Sequence, residues 1–256
     1  MQFRESLKSG VPKLGTWINS GSPINAEIAA QAGFDFVVVD VEHSPVDLER
    51  THSLFQAIRS GNPDSVPMVR AHGVDYSHLK RYLDLGAGGI IAPFVNTAAD
   101  AEQLVRTCKY PPMGDRGVGF CRANAYGPNL PEYVATANDE IVLTVQIEHI
   151  KGVEAIDEIL AVEGIDAAFI GPYDLSASMG ITAQFDHPDY IAAKGRVLEA
   201  CRKHDVVCGL HVVDPDPVQV RDAIEGGYTL VAYSLDITIL THFYRQGVNE
   251  SMAGLK

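Results

Sequence analysis

The feature that most constrains this chain is an alternation that repeats from end to end. Eight short apolar runs, most of them rich in β-branched residues, are each followed by a stretch of helical character. The runs are Leu14–Trp17, Phe34–Asp40, Val66–Arg70, Ile90–Phe94, Ile141–Glu148, the run from Ala167 that leads to Asp174, Val206–Leu210 and Tyr228–Tyr233. Helical segments are expected over Asn25–Gln31, Val46–Ser60, Tyr76–Leu85, Ala98–Cys108, Gly152–Leu160, from His187-Pro-Asp to about His204, over Pro215–Glu225 and from about Asp236 onward. A stretch from Tyr110 to about Asn138 reads as less regular. Eight strand–helix units in 256 residues match a single-domain (β/α)₈ barrel spanning residues 1–256. An open doubly wound sheet is the runner-up. It requires a glycine fingerprint after the first strand, and Trp17-Ile-Asn-Ser-Gly-Ser-Pro is not one.

Charge and segment composition then exclude whole classes of function. The formal net charge is −13, which argues against a basic groove for nucleic acid and against general attraction to anionic membranes. No run approaches the roughly 18 apolar residues that a membrane span needs. The opening Met1-Gln-Phe-Arg-Glu-Ser-Leu-Lys has no apolar signal segment. Cys108, Cys121, Cys201 and Cys208 form no CxxC pair and read as reduced thiols. The expectation is a cytoplasmic protein acting on a small molecule.

In a barrel of this kind the active site lies at the C-terminal ends of the strands. Those ends carry Trp17, Asp40-Val-Glu-His43, Arg70, Pro93, Gln146 with Glu148, Gly171-Pro-Tyr-Asp174, His211 and Ser234. Glu148 and Asp174 leave two successive buried strands at the same end of the sheet. Two hard oxygen ligands there suit a divalent metal with open positions for substrate. His43 is the natural acid/base, with Asp40 and Glu42 available to orient it. Arg70 could stabilise an oxyanion or a carboxylate. Gln146 lies two residues before Glu148, on the same face of the strand. Gly171-Pro172-Tyr173 lets backbone approach a ligand closely, and a helix starting after Pro172 would aim N–H groups at an anion.

Other features carry less. Gly86-Ala-Gly-Gly89 joins a helix to a strand and belongs at the opposite end of the barrel. Gly114-Asp-Arg-Gly-Val-Gly119 lacks the Lys-Ser/Thr of a phosphate loop. No lysine ends a strand as a Schiff-base enzyme would require, and Lys151, three residues past Glu148, is the nearest. Carbonyl activation would then fall to the metal.

The chain resembles the metal-dependent class II pyruvate aldolases, the HpcH/HpaI family that includes 4-hydroxy-2-oxoheptanedioate aldolase. The likeness runs from Leu14 to Leu240. Its most specific pieces are Phe36-Val-Val-Val-Asp-Val-Glu-His-Ser-Pro45, Tyr110-Pro-Pro-Met-Gly-Asp-Arg-Gly-Val-Gly119, Gln146-Ile-Glu148 and Phe169-Ile-Gly-Pro-Tyr-Asp-Leu-Ser-Ala-Ser-Met-Gly180. The resemblance implies that Glu148 and Asp174 hold Mg²⁺, Mn²⁺ or Co²⁺. It implies that Arg70 stabilises a pyruvate enolate, and that Gln146 and the backbone near Tyr173 bind the pyruvate unit. His43 would act as base, through a water. The implied reaction is retro-aldol cleavage of a 4-hydroxy-2-oxo acid to pyruvate and an aldehyde. Oxaloacetate decarboxylation is the alternative, and a non-catalytic metabolite-binding barrel a third reading.

The family also places an acid that supports this histidine in a Leu-Asp-Xaa-Gly-Ala segment, here Leu83-Asp84-Leu-Gly-Ala. Asp84 near a helix C-terminus opposes the helix dipole and needs a compensating partner. The barrel reading sets it far from His43 within one subunit, so Asp40 remains its rival. The resemblance further implies a homo-oligomer, commonly a hexamer, with the C-terminal helix from about 236 docking on a neighbour. The chain departs from its relatives at Phe120-Cys-Arg-Ala-Asn-Ala-Tyr-Gly-Pro, a stretch placed on the aldehyde side of the pocket.

Overall fold

The computed structural model describes residues 3–254. Eight parallel strands close into a barrel in sequence order: β1 (Lys13–Ile18), β2 (Phe36–Asp40), β3 (Val66–Arg70), β4 (Gly89–Ala92), β5 (Val142–Ile147), β6 (Ala167–Ile170), β7 (Val207–Val212) and β8 (Leu230–Leu235), with β8 pairing back onto β1. Helices α2 (Pro23–Gln31), α3 (Leu48–Gly61), α4 (Tyr76–Asp84), α5 (Ala98–Cys108), α9 (Pro172–Ser178), α10 (Pro188–His204), α11 (Pro217–Glu225) and α12 (Asp236–Ser251) fall where the sequence pattern places helical segments. Their starts carry the expected chemistry. The Asp47 carboxylate caps α3, Asp75 caps α4, and Thr97 with Asp100 forms a reciprocal capping box at α5.

Two segments differ from the sequence reading. The stretch after Tyr110 contains a 3₁₀ turn (Arg122–Asn124) and a true helix, α6 (Leu130–Glu140). Pro131 sits in the first turn of α6, where its missing N–H costs nothing. The single helix expected over Gly152–Leu160 is two short ones, α7 (Ile150–Glu154) and α8 (Ile156–Leu160). A further helix, α1 (Phe3–Lys8), closes the bottom of the barrel and sends Leu7 into its interior.

Residues alternate across each strand, one set facing the helices and one filling the barrel. The inner set includes Trp17, Phe36, Val38, Met68, Ile91, Val142, Phe169, Leu230 and Ala232. Large rings are matched by missing side chains. A Cβ at Gly15 would lie 2.3 Å from the Phe36 ring, and one at Gly209 would lie 2.3 Å from Phe169. The barrel is therefore a packed core rather than a pore. The inward parity continues upward to polar residues at the C-terminal mouth: Asp40, Arg70, Gln146 and His211. Among the described residues no helix is long and apolar enough to cross a membrane.

Candidate active site at the barrel mouth

Asp40 and Arg70 face each other as register partners at the ends of β2 and β3. Asp40 is fully buried and accepts from Arg70 Nε at 2.9 Å and Nη2 at 2.6 Å. It also accepts from the Asn19 amide and from the backbone N–H groups of Glu42 and His43. Burial alone would push this carboxyl up. The Arg70 hydrogen bonds and charge, with the two N–H groups, hold it below the ordinary carboxylate value. The guanidinium also lies 4.5 Å above the centroid of the buried Trp17 ring. Arg70 is thus fixed in place with its charge aimed into the mouth.

Glu148 is in a different position. It too is buried, and it accepts the Phe94 N–H at 2.7 Å and a hydrogen bond from the Gln146 amide. Phe94 adopts the left-handed backbone region, φ 54°, which turns that N–H toward the carboxylate. Among the described residues no cation lies within ion-pair distance of Glu148. Burial pushes its carboxyl up to about 7. The Phe94 hydrogen bond opposes the rise, while Glu42 and Asp174 add to it through like charge. Asp174 stands exposed in the first turn of α9. Gly171, which begins that turn, has no room for a side chain. A Cβ there would come within 2.9 Å of Gln146 Nε2 and Glu148 Oε2. The backbone at Gly171 therefore packs directly against the Gln146 and Glu148 side chains.

Glu42 completes the acidic surround. Burial raises its carboxyl, and Asp40 and Asp174 contribute in the same sense against Arg70 and His43. Its Oε2 is buried without a hydrogen bond, 3.4 Å from Arg70 Nε and 3.8 Å from His43 Nε2. Gln146 Oε1 is buried and unpartnered as well. The donor set therefore suits a hard divalent cation: two carboxylates, Glu148 and Asp174, with orphaned oxygens beside them and no cationic side chain on Glu148. Among the described residues no group of three or more His, Cys, Asp or Glu side chains is arranged to hold a metal ion.

His43 projects from the β2 loop with its ring exposed to solvent. Asp40 reaches the His43 backbone but spends its carboxylate on Arg70, and the acid beside the imidazole is Glu42. Asp84, at the end of α4, pairs with the buried Arg116 at 2.8 Å, and no hydrogen bond or ion pair joins it to His43 within the chain. Arg116 is the compensating partner that the helix dipole at Asp84 demands. It is clamped between Tyr110 and Tyr133, 4.5 and 5.5 Å from their centroids. Lys151 opens α7, and the buried Lys109 is held far from the mouth by the carbonyls of Asn138 and Ile141.

Three contributors escaped the sequence reading. Asn19, the residue after β1, supports Asp40. Asp236 accepts from the backbone of Asn19 and Ser20 and from the Asn25 amide, tying the start of α12 to the β1 loop. Phe94 supplies its N–H to Glu148. The signal for Asn19 and Asp236 was their position directly after a strand; the left-handed turn at Phe94 left none.

The HpcH/HpaI aldolase/citrate lyase family model matches residues 13–242. The chain belongs to this family. A hydroxypyruvate/pyruvate aldolase of Roseobacter denitrificans is 38% identical over 240 residues, covering 93% of this chain and 92% of the relative. A 4-hydroxy-2-oxo-heptane-1,7-dioate aldolase of Escherichia coli is 36% identical over 239 residues, covering 93% and 90%. The crystal structure of an HpcH/HpaI aldolase/citrate lyase family protein from Burkholderia cenocepacia superimposes with a TM-score of 0.92 at 35% identity, covering 97% of this chain and 98% of that one. As a member of the family with relatives of this kind, the protein is an enzyme, a carbon–carbon lyase of the aldolase type. The mouth of the barrel, where this family member gathers Asp40, Arg70, Gln146, Glu148 and Asp174, is its candidate active site.

Proposed function

We propose that this enzyme cleaves a 4-hydroxy-2-oxo acid to pyruvate and an aldehyde, using a divalent metal held by Glu148 and Asp174. The observation that carries the reading is Glu148: a buried carboxylate with no cationic partner, set 2 residues from an amide with an unpartnered oxygen and opposite a fixed arginine. Mg²⁺, Mn²⁺ or Co²⁺ bound there would supply Lewis acidity to the 2-oxo group. The chain's own residues supply the rest. Gln146 and the backbone at Gly171, Pro172 and Tyr173 orient the pyruvate portion. Arg70 faces the oxygen on which negative charge develops as the C3–C4 bond breaks. His43, exposed on its loop, accepts the proton of the 4-hydroxyl as that carbon becomes the aldehyde. The electron pair left on C3 then takes a proton to give pyruvate. Trp17 fixes the Arg70 plane from below.

The test is a screen of 4-hydroxy-2-oxo acids coupled to pyruvate detection, run after exhaustive chelation and again with each metal restored. Pyruvate release only in the metal-restored arms is the expected result. Undiminished turnover after chelation, or a borohydride-trapped pyruvate adduct on any lysine, would overturn the reading.

The same proposal extends to assembly. The whole chain, 1–256, acts as one barrel unit, and α12 leaves Ile237, Leu240, Phe243, Tyr244 and Val248 exposed along its length. We take this helix to pack on another copy of the chain, in a homo-oligomer such as a hexamer. A neighbour is also the route by which Asp84 could reach His43. Light scattering at micromolar concentration checks it, and a fully active monomer of 27.7 kDa would sink both points.

A further inference from the structure

Asn19, the residue after β1, is held from two sides. Its backbone N–H donates at 2.8 Å to the carboxylate of Asp236, the first residue of α12. That carboxylate also accepts from the N–H groups of Ser20 and Ile237 and from the Asn25 amide. β8 and β1 are neighbours in the barrel, so the residue after β8 fixes the residue after β1. On its other side, Asn19 Nδ2 donates at 2.5 Å to Asp40 Oδ2. Both side chains are buried, Asn19 to 9% exposure and Asp40 to 0%. Asn19 Oδ1 is buried as well and has no hydrogen bond. An orphaned buried acceptor lowers stability, and an apolar side chain of the same shape would carry none. Among the described residues the one hydrogen bond made by this side chain is the one to Asp40.

The two oxygens of Asp40 are held differently. Oδ1 accepts from Arg70 Nε and from the backbone N–H groups of Glu42 and His43. Oδ2 accepts only from Arg70 Nη2 and from Asn19. Arg70 grips both oxygens at once, so the guanidinium plane follows the carboxylate plane. The backbone pins Oδ1 alone. Without the Asn19 amide, Oδ2 would hold nothing but the arginine itself, and carboxylate and guanidinium could turn together about the Cβ–Cγ bond of Asp40. Trp17 supports one face of the guanidinium, 4.5 Å from its ring centroid, and leaves movement within the plane free. Such a movement carries the arginine donors away from the oxygen on which charge develops. Preorganised donors lose their effect when displaced in this way.

From this geometry we infer that Asn19 is a positioning residue for the cleavage: its amide locks the Asp40 carboxylate, and through it the Arg70 guanidinium, in the orientation that faces the developing enolate charge. Asp236 anchors Asn19 from the first residue of α12. This rests on the retro-aldol reading above, in which Arg70 meets that charge.

The experiment is a double-mutant cycle read by deuterium exchange of the pyruvate methyl group, with Mg²⁺, Mn²⁺ or Co²⁺ present. The proteins compared are the wild type, N19L, R70A and the double variant N19L/R70A. Leucine keeps the shape of asparagine and removes the donor. In the wild-type background N19L should lower kcat by about tenfold or more, the scale of one hydrogen bond to a charged group. KM for pyruvate should stay within about twofold, because the lost interaction belongs to the developing charge and not to the bound ground state. In the R70A background N19L should change kcat by less than about twofold, since the group through which Asn19 acts is gone. Should N19L fail to fold, N19A takes its place in the cycle, and failure of both to fold would assign Asn19 to the fold and overturn the inference. Turnover equal to wild type, a rise in KM with kcat unchanged, or a loss as large in the R70A background as in the wild type would overturn it and leave the lyase reading standing. No exchange by the wild type with any of the three metals would overturn both.

Discussion

The two ends of the barrel solve the problem of buried charge in opposite ways. At the floor, Asp166 sits just before β6 and is 3% exposed. It accepts from Arg4 Nε at 2.7 Å and from the Leu143 N–H at 3.0 Å. Lys109, also buried, donates to two carbonyls that end α6 and precede β5. Both of these buried charges have partners from the chain. At the mouth Asp40 and Asp236 are closed off in that way, but the carboxylates that face the cavity are not. Glu148 and Glu42 are pushed toward their neutral forms, and Trp17 Nε1, Glu42 Oε2 and Gln146 Oε1 are buried without a hydrogen bond. A carboxylate without a cation costs stability, so a chain keeps it where a bound group supplies the missing charge. The comparison separates a floor that holds the fold from a mouth that spends stability on binding.

The largest expected effect comes from removing the Arg70 cation, which is fixed at the mouth. Arg70→Ala should lower kcat/KM for cleavage by about 10²–10³, the scale of losing one preorganised donor to developing negative charge. It should lower pyruvate enolisation, read as deuterium exchange of the methyl group, to a similar degree. It also strands the buried Asp40, and a loss of about 3–5 kcal/mol in stability is expected. An Arg70→Ala protein that cleaves at the wild-type rate would erase the contrast between the two ends.

Next comes His43. Its replacement by alanine should depress aldol cleavage by about 10²-fold or more, the range of general-base contributions. Oxaloacetate decarboxylation, which has no hydroxyl proton to remove, should fall less. Equal losses in both reactions would reduce His43 to a positioning role. They would also favour decarboxylation as a chemistry the same mouth can run.

Much of this contrast was legible beforehand, and the reason is parity. A two-residue period carried along β5 puts Gln146 on the inner face together with the residue two further on, Glu148, and the same counting aligns Asp40 and Arg70 at the ends of β2 and β3. The His187-Pro-Asp start of α10 was equally readable, because its side chain caps the helix as its position suggests. What stayed hidden was pairing between residues distant in sequence. The need of Asp84 for a cation follows from the helix dipole, but its identity as Arg116, 32 residues on, follows only from packing. Asp40 looked as free to serve His43 as to serve Arg70, and register decided for Arg70. The unpaired condition of Glu148 was invisible for the same reason. Missing partners have no motif.

A subtler effect concerns stability rather than turnover. The raised carboxyl of Glu148 means that the metal-free folded state holds a proton there which the unfolded chain, at an ordinary 4.5, has released. Between about 4.5 and about 7 the native state therefore binds more protons, and stability from this group falls as pH rises through that window. Glu148→Gln removes the cost. In chelated protein it should raise stability by about 1–3 kcal/mol at pH 8 and by little at pH 4.5, while abolishing cleavage. Thermal melts at the two pH values, with and without metal, read this directly. Destabilisation by Glu148→Gln at pH 8 would show that the carboxylate already has a partner.

The smallest effect on turnover belongs to the floor. Lys109→Met keeps a long apolar stem and removes the ammonium, leaving the carbonyls of Asn138 and Ile141 without their donor. Burial lowers this lysine to about 8, against the pull of Asp166, so at neutral pH it is still mostly charged and its hydrogen bonds are charge-assisted. The folded pKa lies below the ordinary lysine value of 10.5, so the ammonium is harder to keep in the fold than in the unfolded chain. Stability from this group is fullest above 10.5 and declines as pH falls through about 8. The substitution should therefore destabilise by only about 1–3 kcal/mol at pH 7, because the lost hydrogen bonds are partly offset by relief of a desolvated charge. Urea melts measure that loss, and kcat/KM measured below the new melting temperature should match wild type within about twofold. A tenfold fall in turnover with Lys109→Met would mean that the floor reaches the chemistry after all.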